Sequence, residues 1–195
     1  MARLVFTEDP HEYHLDGVRI PSVTEIIGML TDFSFVPKDV LERASTFGRA
    51  VHKAIELYEN DDLDESMLSL PLVPYLDQYK RFVSETGFTA THTEERVYSE
   101  RYRYAGTLDL AGMLNHQDAI IDTKTVSVLH PAVGLQTAAY DHAFCEMHGL
   151  KKRKRRFALQ LSDTRYRLVE YKDQHDFTYF AAALSLHTWR KNNGQ

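Results

Sequence analysis

Polar and apolar positions alternate early in the chain around Tyr13, Leu15, Val18 and Ile20, with Asp16-Gly17 between the two halves. Alternation on either side of Asp-Gly is the pattern of a short β-hairpin. Ser22 stands three positions before Glu25, a capping-box spacing that predicts a helix through Ile26, Ile27 and Leu30. Apolar residues then recur at helical spacing as Val40, Leu41, Ala44, Phe47, Val51, Ala54, Ile55 and Tyr58. They predict one long amphipathic helix near 38–59, with His52 close to its buried stripe. Pro71 and Pro74 interrupt the chain before a further helical pattern in Leu76, Tyr79, Phe82 and Val83, which Gly87 closes as a C-terminal cap.

From about Thr91 the period changes to two, and strands are predicted at 92–100, 103–114 and 119–126, paired consecutively and antiparallel. Pro131 opens a helix through Leu135, Ala138, Ala139, Ala143 and Met147, and Gly149 closes it. Two more strands follow at 157–161 and 166–171, turning near Ser162 and Asp163, and a last amphipathic helix carries Phe177, Phe180, Ala181, Leu184 and Trp189. The expected fold is α/β: a central mixed sheet of about five strands flanked by helices, behind a small N-terminal hairpin in 1–21. A chain of 195 residues suits one domain with a sizeable core, and its chemistry should lie in the sheet region 91–172 with its crossover helix.

Composition narrows the chemistry. No apolar run approaches the roughly 20 residues of a membrane helix, and the N-terminus lacks a charged-then-apolar signal pattern, so a cytoplasmic protein is expected. Cys145 is the only cysteine, which excludes an internal disulfide and any multi-cysteine zinc or iron-sulfur site. A metal would have to be held by oxygen and imidazole. The formal net charge is −5, yet Lys151, Lys152, Arg153, Lys154, Arg155 and Arg156 form one basic block. That block reads either as a solvated turn or as a phosphate-contact surface, and nothing in it reads bases. Acidic residues gather near 56–65, where Asp61, Asp62 and Asp64 suit a solvated loop.

The decisive residues lie in Gly106-Thr107-Leu108-Asp109 and Ile120-Ile121-Asp122-Thr123-Lys124. Two positions apart on a strand, Asp122 and Lys124 share a face. A turn centred on Asn115 and His116 makes paired positions sum to about 231 and sets Asp109 opposite Asp122. Two carboxylates facing each other across a sheet repel, so the arrangement is costly unless a cation lies between them. Magnesium, a hard ion that takes carboxylate, water and phosphate oxygens, suits such a pair. It would polarise a phosphoryl group and acidify water, while a nearby lysine could orient that water and stabilise developing charge.

These motifs resemble the PD-(D/E)XK nucleases, in particular the RecB-like, lambda-exonuclease-like and phage exonuclease branch. That branch carries a Gly-X-X-Asp strand, an Asp-X-Lys strand and then a helix bearing Gln and Tyr, here Gly106 to Asp109, Asp122 to Lys124, and Gln136 with Tyr140. Upstream, Gly48-Arg49-Ala50-Val51-His52 is similar to the family's Gly-X-X-X-His helix, and His11-Glu12-Tyr13 through Pro21-Ser22-Val23-Thr24 is similar to the openings of phage-encoded members. Leu108 replaces the proline of the name-giving pattern, a common substitution in the branch, and the absence of a four-cysteine cluster argues against the iron-sulfur members.

The resemblance implies a magnesium- or manganese-dependent DNA exonuclease for phage recombination or end processing. Asp109, Asp122 and Lys124 would be catalytic, and His52, Asp109, Asp122 and Thr123 would hold the metal. It implies that Gln136 and Tyr140 border the site, and that a glutamate near the first strand supports it. Alternation cannot separate Glu94 from Glu95 without a register, and we favour Glu95. Glu56, one helical turn beyond His52, could instead pair with it. DNA bound through its backbone is the expected partner, with a recombination protein and a homo-oligomer compatible with the branch. Two other readings stay open: a non-catalytic nucleic-acid-binding module that keeps the nuclease fold, and a structure-specific endonuclease.

Overall fold

The fold is described from a computed structural model covering residues 3–32 and 34–194. Its first sheet is β1 (Leu4–Thr7), β2 (Glu12–Leu15) and β3 (Val18–Ile20), antiparallel with β2 in the middle. The hairpin around Asp16-Gly17 is as expected, with both turn residues at positive φ. The sheet gains a third strand, however, because β1 pairs from Leu4↔Leu15 to Thr7↔Glu12. Tyr13, Leu15 and Ile20 are buried with Ala105, and Leu4, Phe6 and Tyr98 cover them.

Helix α1 (Val23–Gly28) starts where the capping spacing places it, with Ser22 Oγ accepting from the Glu25 N–H at 2.9 Å. It ends earlier than predicted, because the Met29 and Leu30 amides turn back to the carbonyls of Ile26 and Ile27. The long stripe forms α2 (Lys38–Glu59). Helix α3 (Val73–Thr86) stops at Gly87, whose φ of 64° is the left-handed conformation expected of a glycine cap.

The central sheet contains β4 (Thr89–Ser99), β5 (Tyr104–Leu114), β6 (Gln117–Lys124), β7 (Arg155–Leu161) and β8 (Tyr166–Tyr171), in that order. Crossover helix α4 (Ala132–Met147) makes β6 and β7 parallel, the other pairs are antiparallel, and α5 (Asp176–Asn192) closes the chain. One face packs Leu110, Leu114, Ile121 and Phe157 against α2 and α3. The other packs Leu108, Ala111 and Ile120 against α1, α4 and α5. Among the described residues, no helix is long and apolar enough to cross a membrane.

Two irregularities open this sheet at one place. The β5–β6 ladder runs from Leu114↔Gln117 to Leu110↔Ile121 and stops. Beyond that pair β5 stays with β4 while β6 stays with β7, so the sheet forks at Asp109 and Asp122. Alternation also fails at the fork. Leu108 and Leu110, two apart, should share a face, yet they lie in opposite cores. Opposite Asp109, Glu94 holds φ at 47°, a region that non-glycine residues rarely visit.

Candidate active site

Asp109 sits where β5 changes face, and its Oδ2 accepts the Thr123 N–H at 2.7 Å. This bond ties the two arms of the fork together and fixes one carboxylate oxygen. His52 reaches the fork from α2. Its Nε2 lies 2.9 Å from the Thr123 carbonyl, and since a carbonyl can only accept, Nε2 carries the proton and donates. Nδ1 therefore faces Asp109 Oδ2 at 3.5 Å and Glu94 Oε1 at 3.8 Å. Burial would push the His52 pKa down, but the Asp109 and Glu94 carboxylates outweigh it and hold the ring up at about 9.

His52, Glu94 and Asp109 place one ligand atom each within 4.8 Å of one another. With Thr123 and Glu56 they line a recess with about 10 Å³ open to a water-sized sphere, room for a single water or ion. Glu56 does not pair with His52; its Oε2 takes Lys53 at 2.8 Å. Gly48 lies one turn before His52, where an added Cβ would be 3.4 Å from Thr125 Oγ1, so α2 passes close to the end of β6.

Asp122 faces the α4 side with Ile120 and is fully buried. Lys124 Nζ lies 2.6 Å from its Oδ2. Even so, neither Asp122 oxygen has a well-directed hydrogen-bond donor. A buried carboxylate in that state costs several kcal/mol and calls for an explanation. Burial raises the Asp122 pKa against the pull of Lys124, and Asp109 raises it further. Burial likewise raises Asp109, opposed by His52 and Lys124. Both carboxylates act on Lys124 and on the Tyr140 hydroxyl, so they belong to one charged cluster.

Gln136 and Tyr140 stand four apart on α4, and Gln136 Nε2 donates to the Tyr140 hydroxyl at 3.2 Å. The tyrosine keeps its own O–H to give. Its ring lies against β5 at Gly106, where a Cβ would come within 2.7 Å of Tyr140 Cε1. That close approach is the physical reason for glycine at the head of Gly-X-X-Asp.

Three expectations change. The register is as deduced, since the observed pairs all sum to 231, but Asp122 is not among the residues lining the recess. Of the two glutamates, Glu94 and not Glu95 joins His52 and Asp109. Strict alternation cannot reveal this, because the positive φ at Glu94 resets the strand's facing, while Glu95 turns to the α4 side and meets His148 at 2.9 Å. Four of the six residues of the basic block pair with acidic groups of the chain itself. Arg153 contacts Asp141, Lys154 pairs with Asp118, Arg155 with Glu170 and Arg156 with Asp176. Among the described residues, Lys151 and Lys152 are the two of the six without an ion-pair partner.

No protein-family model matches the chain, and no curated protein sequence matches it. Among solved structures, a protein provisionally named an exonuclease, from Eubacterium rectale, superposes with a TM-score of 0.50 at 9% identity, covering 75% of this chain and 68% of that one. At that identity the likeness is one of fold. Another, SSO0001, aligns at a TM-score of 0.38 and 14% identity over 70% of this chain and 68% of that one, too loosely to carry any argument.

Proposed function

We propose that this protein is a metal-dependent deoxyribonuclease of PD-(D/E)XK type, acting as a phage-type exonuclease in recombination or end processing. The observation that carries the reading is the fork: an ion-sized recess of His52, Glu94 and Asp109 beside a buried Asp122 whose one close partner is Lys124 and whose oxygens lack well-directed donors. The fold shared with a protein named as an exonuclease supports it. So does the chemistry of the donors, since carboxylates with one imidazole suit magnesium or manganese.

His52, Glu94, Asp109 and Thr123 line the recess that would hold that ion, and Asp122, beside the recess and not in its lining, would complete the shell. When bound, it would supply phosphoryl polarisation and a more acidic water. The chain's own groups do the rest. The Thr123 N–H fixes the Asp109 carboxylate, and the Thr123 carbonyl fixes the His52 ring. Asp122 holds the Lys124 ammonium, at the end of a side chain that is 23% exposed. From there its charge can balance the negative charge that develops on a phosphodiester under attack. Tyr140 and Gln136, both buried next to the same cluster, offer donors to a water held there. Nothing in this set distinguishes bases, in keeping with DNA held through its backbone.

The test is digestion of linear duplex DNA with magnesium by the wild type, Asp122→Ala and Lys124→Ala. Activity in the wild type alone is expected, and equal activity in all three overturns the mechanism. Covalently closed circles should resist; their cleavage would instead mark an endonuclease. A wild type that binds DNA but cuts no substrate would mark a binding module.

A further inference from the structure

The strand that delivers Glu94 to the fork delivers its neighbour to a second cluster on the opposite face. Glu95, His92 and His148 place one ligand atom each within 4.8 Å of one another. Glu95 Oε1 lies 2.9 Å from His148 Nε2, and its Oε2 lies 3.8 Å from His92 Nε2. Four donors around a tetrahedral ion with bonds of about 2.0 Å stand about 3.3 Å apart. The observed separations therefore bracket that value, and small rotations would close the set.

The tautomer of His92 points the same way, whereas His148 Nε2 donates to Glu95 Oε1 and would give up that proton to a metal. Thr91 Oγ1 gives its hydrogen to the Ala111 carbonyl at 3.1 Å. Its oxygen can then only accept from His92 Nδ1, 3.0 Å away. In the neutral ring the proton is then held on Nδ1, and His92 presents a bare Nε2 lone pair toward Glu95. The oxygen it meets, Glu95 Oε2, is itself buried and has no hydrogen-bond partner. A lone pair facing a carboxylate oxygen is repulsive, and a cation between them removes the repulsion. An outer hydrogen bond that fixes the tautomer of a ligating histidine is the usual support of a metal site. Phe144 forms an apolar wall, edge-on to His92 at 5.2 Å and tilted against His148 at 4.3 Å.

We propose that His92, Glu95 and His148 bind a transition-metal ion of the zinc class, with a fourth position left for water. Two imidazoles and one carboxylate favour zinc over magnesium, which prefers an all-oxygen shell. The ion would clamp β4 to the C-terminal end of α4. It would thus brace two elements that also carry Glu94, Gln136 and Tyr140, without taking part at the fork.

The test uses the full chain carrying Asp109→Asn, which disables the fork cluster as a competing site. Cobalt(II) titration should give visible d–d bands saturating at one equivalent, zinc should displace the cobalt, and zinc should raise the melting temperature. In the same background, His148→Ala removes a ligand from an exposed helix end. Glu95→Gln keeps the side-chain volume while removing its charge. Each should weaken cobalt and zinc binding by about tenfold or more. The proposal is overturned if the parent shows no bands, or if both variants bind as tightly as the parent. Either failure leaves the nuclease reading untouched, because magnesium-supported cleavage uses none of these side chains.

Discussion

Two buried charged centres flank α4, and they are built in opposite ways. At one, Arg156 gives Nη1 to Asp176 at 3.0 Å and to the Gly134 carbonyl at 2.9 Å, and Nη2 to the Asp173 carbonyl at 2.7 Å. Gly134 fits so closely that a Cβ there would meet Asp176 Oδ2 at 3.0 Å. At the other, Asp122 is more deeply buried, yet Lys124 is its one close cation and its oxygens lack directed donors. A buried charge with a complete set of partners belongs to the architecture. One with an incomplete set is costly unless a further partner arrives, which is what the site of a catalyst requires.

The strongest way to break this contrast is Arg156→Met. It leaves Asp176 charged and buried without its cation, along with two carbonyls, and should cost roughly 3–5 kcal/mol, read from urea unfolding. A loss below about 1 kcal/mol, the range of exposed pairs, would mean that the centre is not the architectural one. Next, Gly106→Ala drives a methyl into the Tyr140 ring. A cost of about 1–3 kcal/mol from overpacking is expected, together with slower DNA cleavage as the tyrosine moves. Unchanged stability and cleavage would show that the close approach is not needed.

His142 sharpens the comparison by a smaller amount. Its Nδ1 is buried and unpartnered as well, but its ring stacks on Phe177 at 3.8 Å and 5°, so a neutral imidazole suits the place. Burial, then Arg153, push its pKa down to about 4, although Glu146 pulls the other way. The unfolded chain, near 6.5, therefore takes up this proton first. The contribution is intact above that value and is lost as pH falls toward 4. Stability should drop by roughly 1–2 kcal/mol from pH 7 to pH 5 on this account, and His142→Phe should flatten that part of the profile. An identical profile in the variant would remove His142 from the explanation.

Much of this was readable from local pattern. The stripe from Val40 to Tyr58 gave α2 to the residue. The Asn115-His116 turn, with both residues at positive φ, gave the β5–β6 register. Strand β1 was missed because four residues carry too little alternation to stand out, and its partner lies across a loop. The choice between Glu94 and Glu95 failed for a different reason: period two assumes an extended backbone, and Glu94 leaves it. In the basic block, sequence shows charges but not the distant Asp118, Asp141, Glu170 and Asp176 that meet them. The neighbourhood of His92, Glu95 and His148 was likewise hidden, since 53 positions separate Glu95 from His148.

The contrast between the two centres reduces to the consequence of neutralising Asp122 alone. In Asp122→Asn, assayed for magnesium-supported cleavage of linear DNA and for urea unfolding on the same preparation, cleavage should fall by at least about a hundredfold. Stability should stay nearly level, because removing an under-partnered buried charge offsets the loss of its ion pair with the partly exposed Lys124. A variant that cuts DNA at the wild-type rate while unfolding more easily would contradict the account, and would place Asp122 with Arg156 among the supports of the fold.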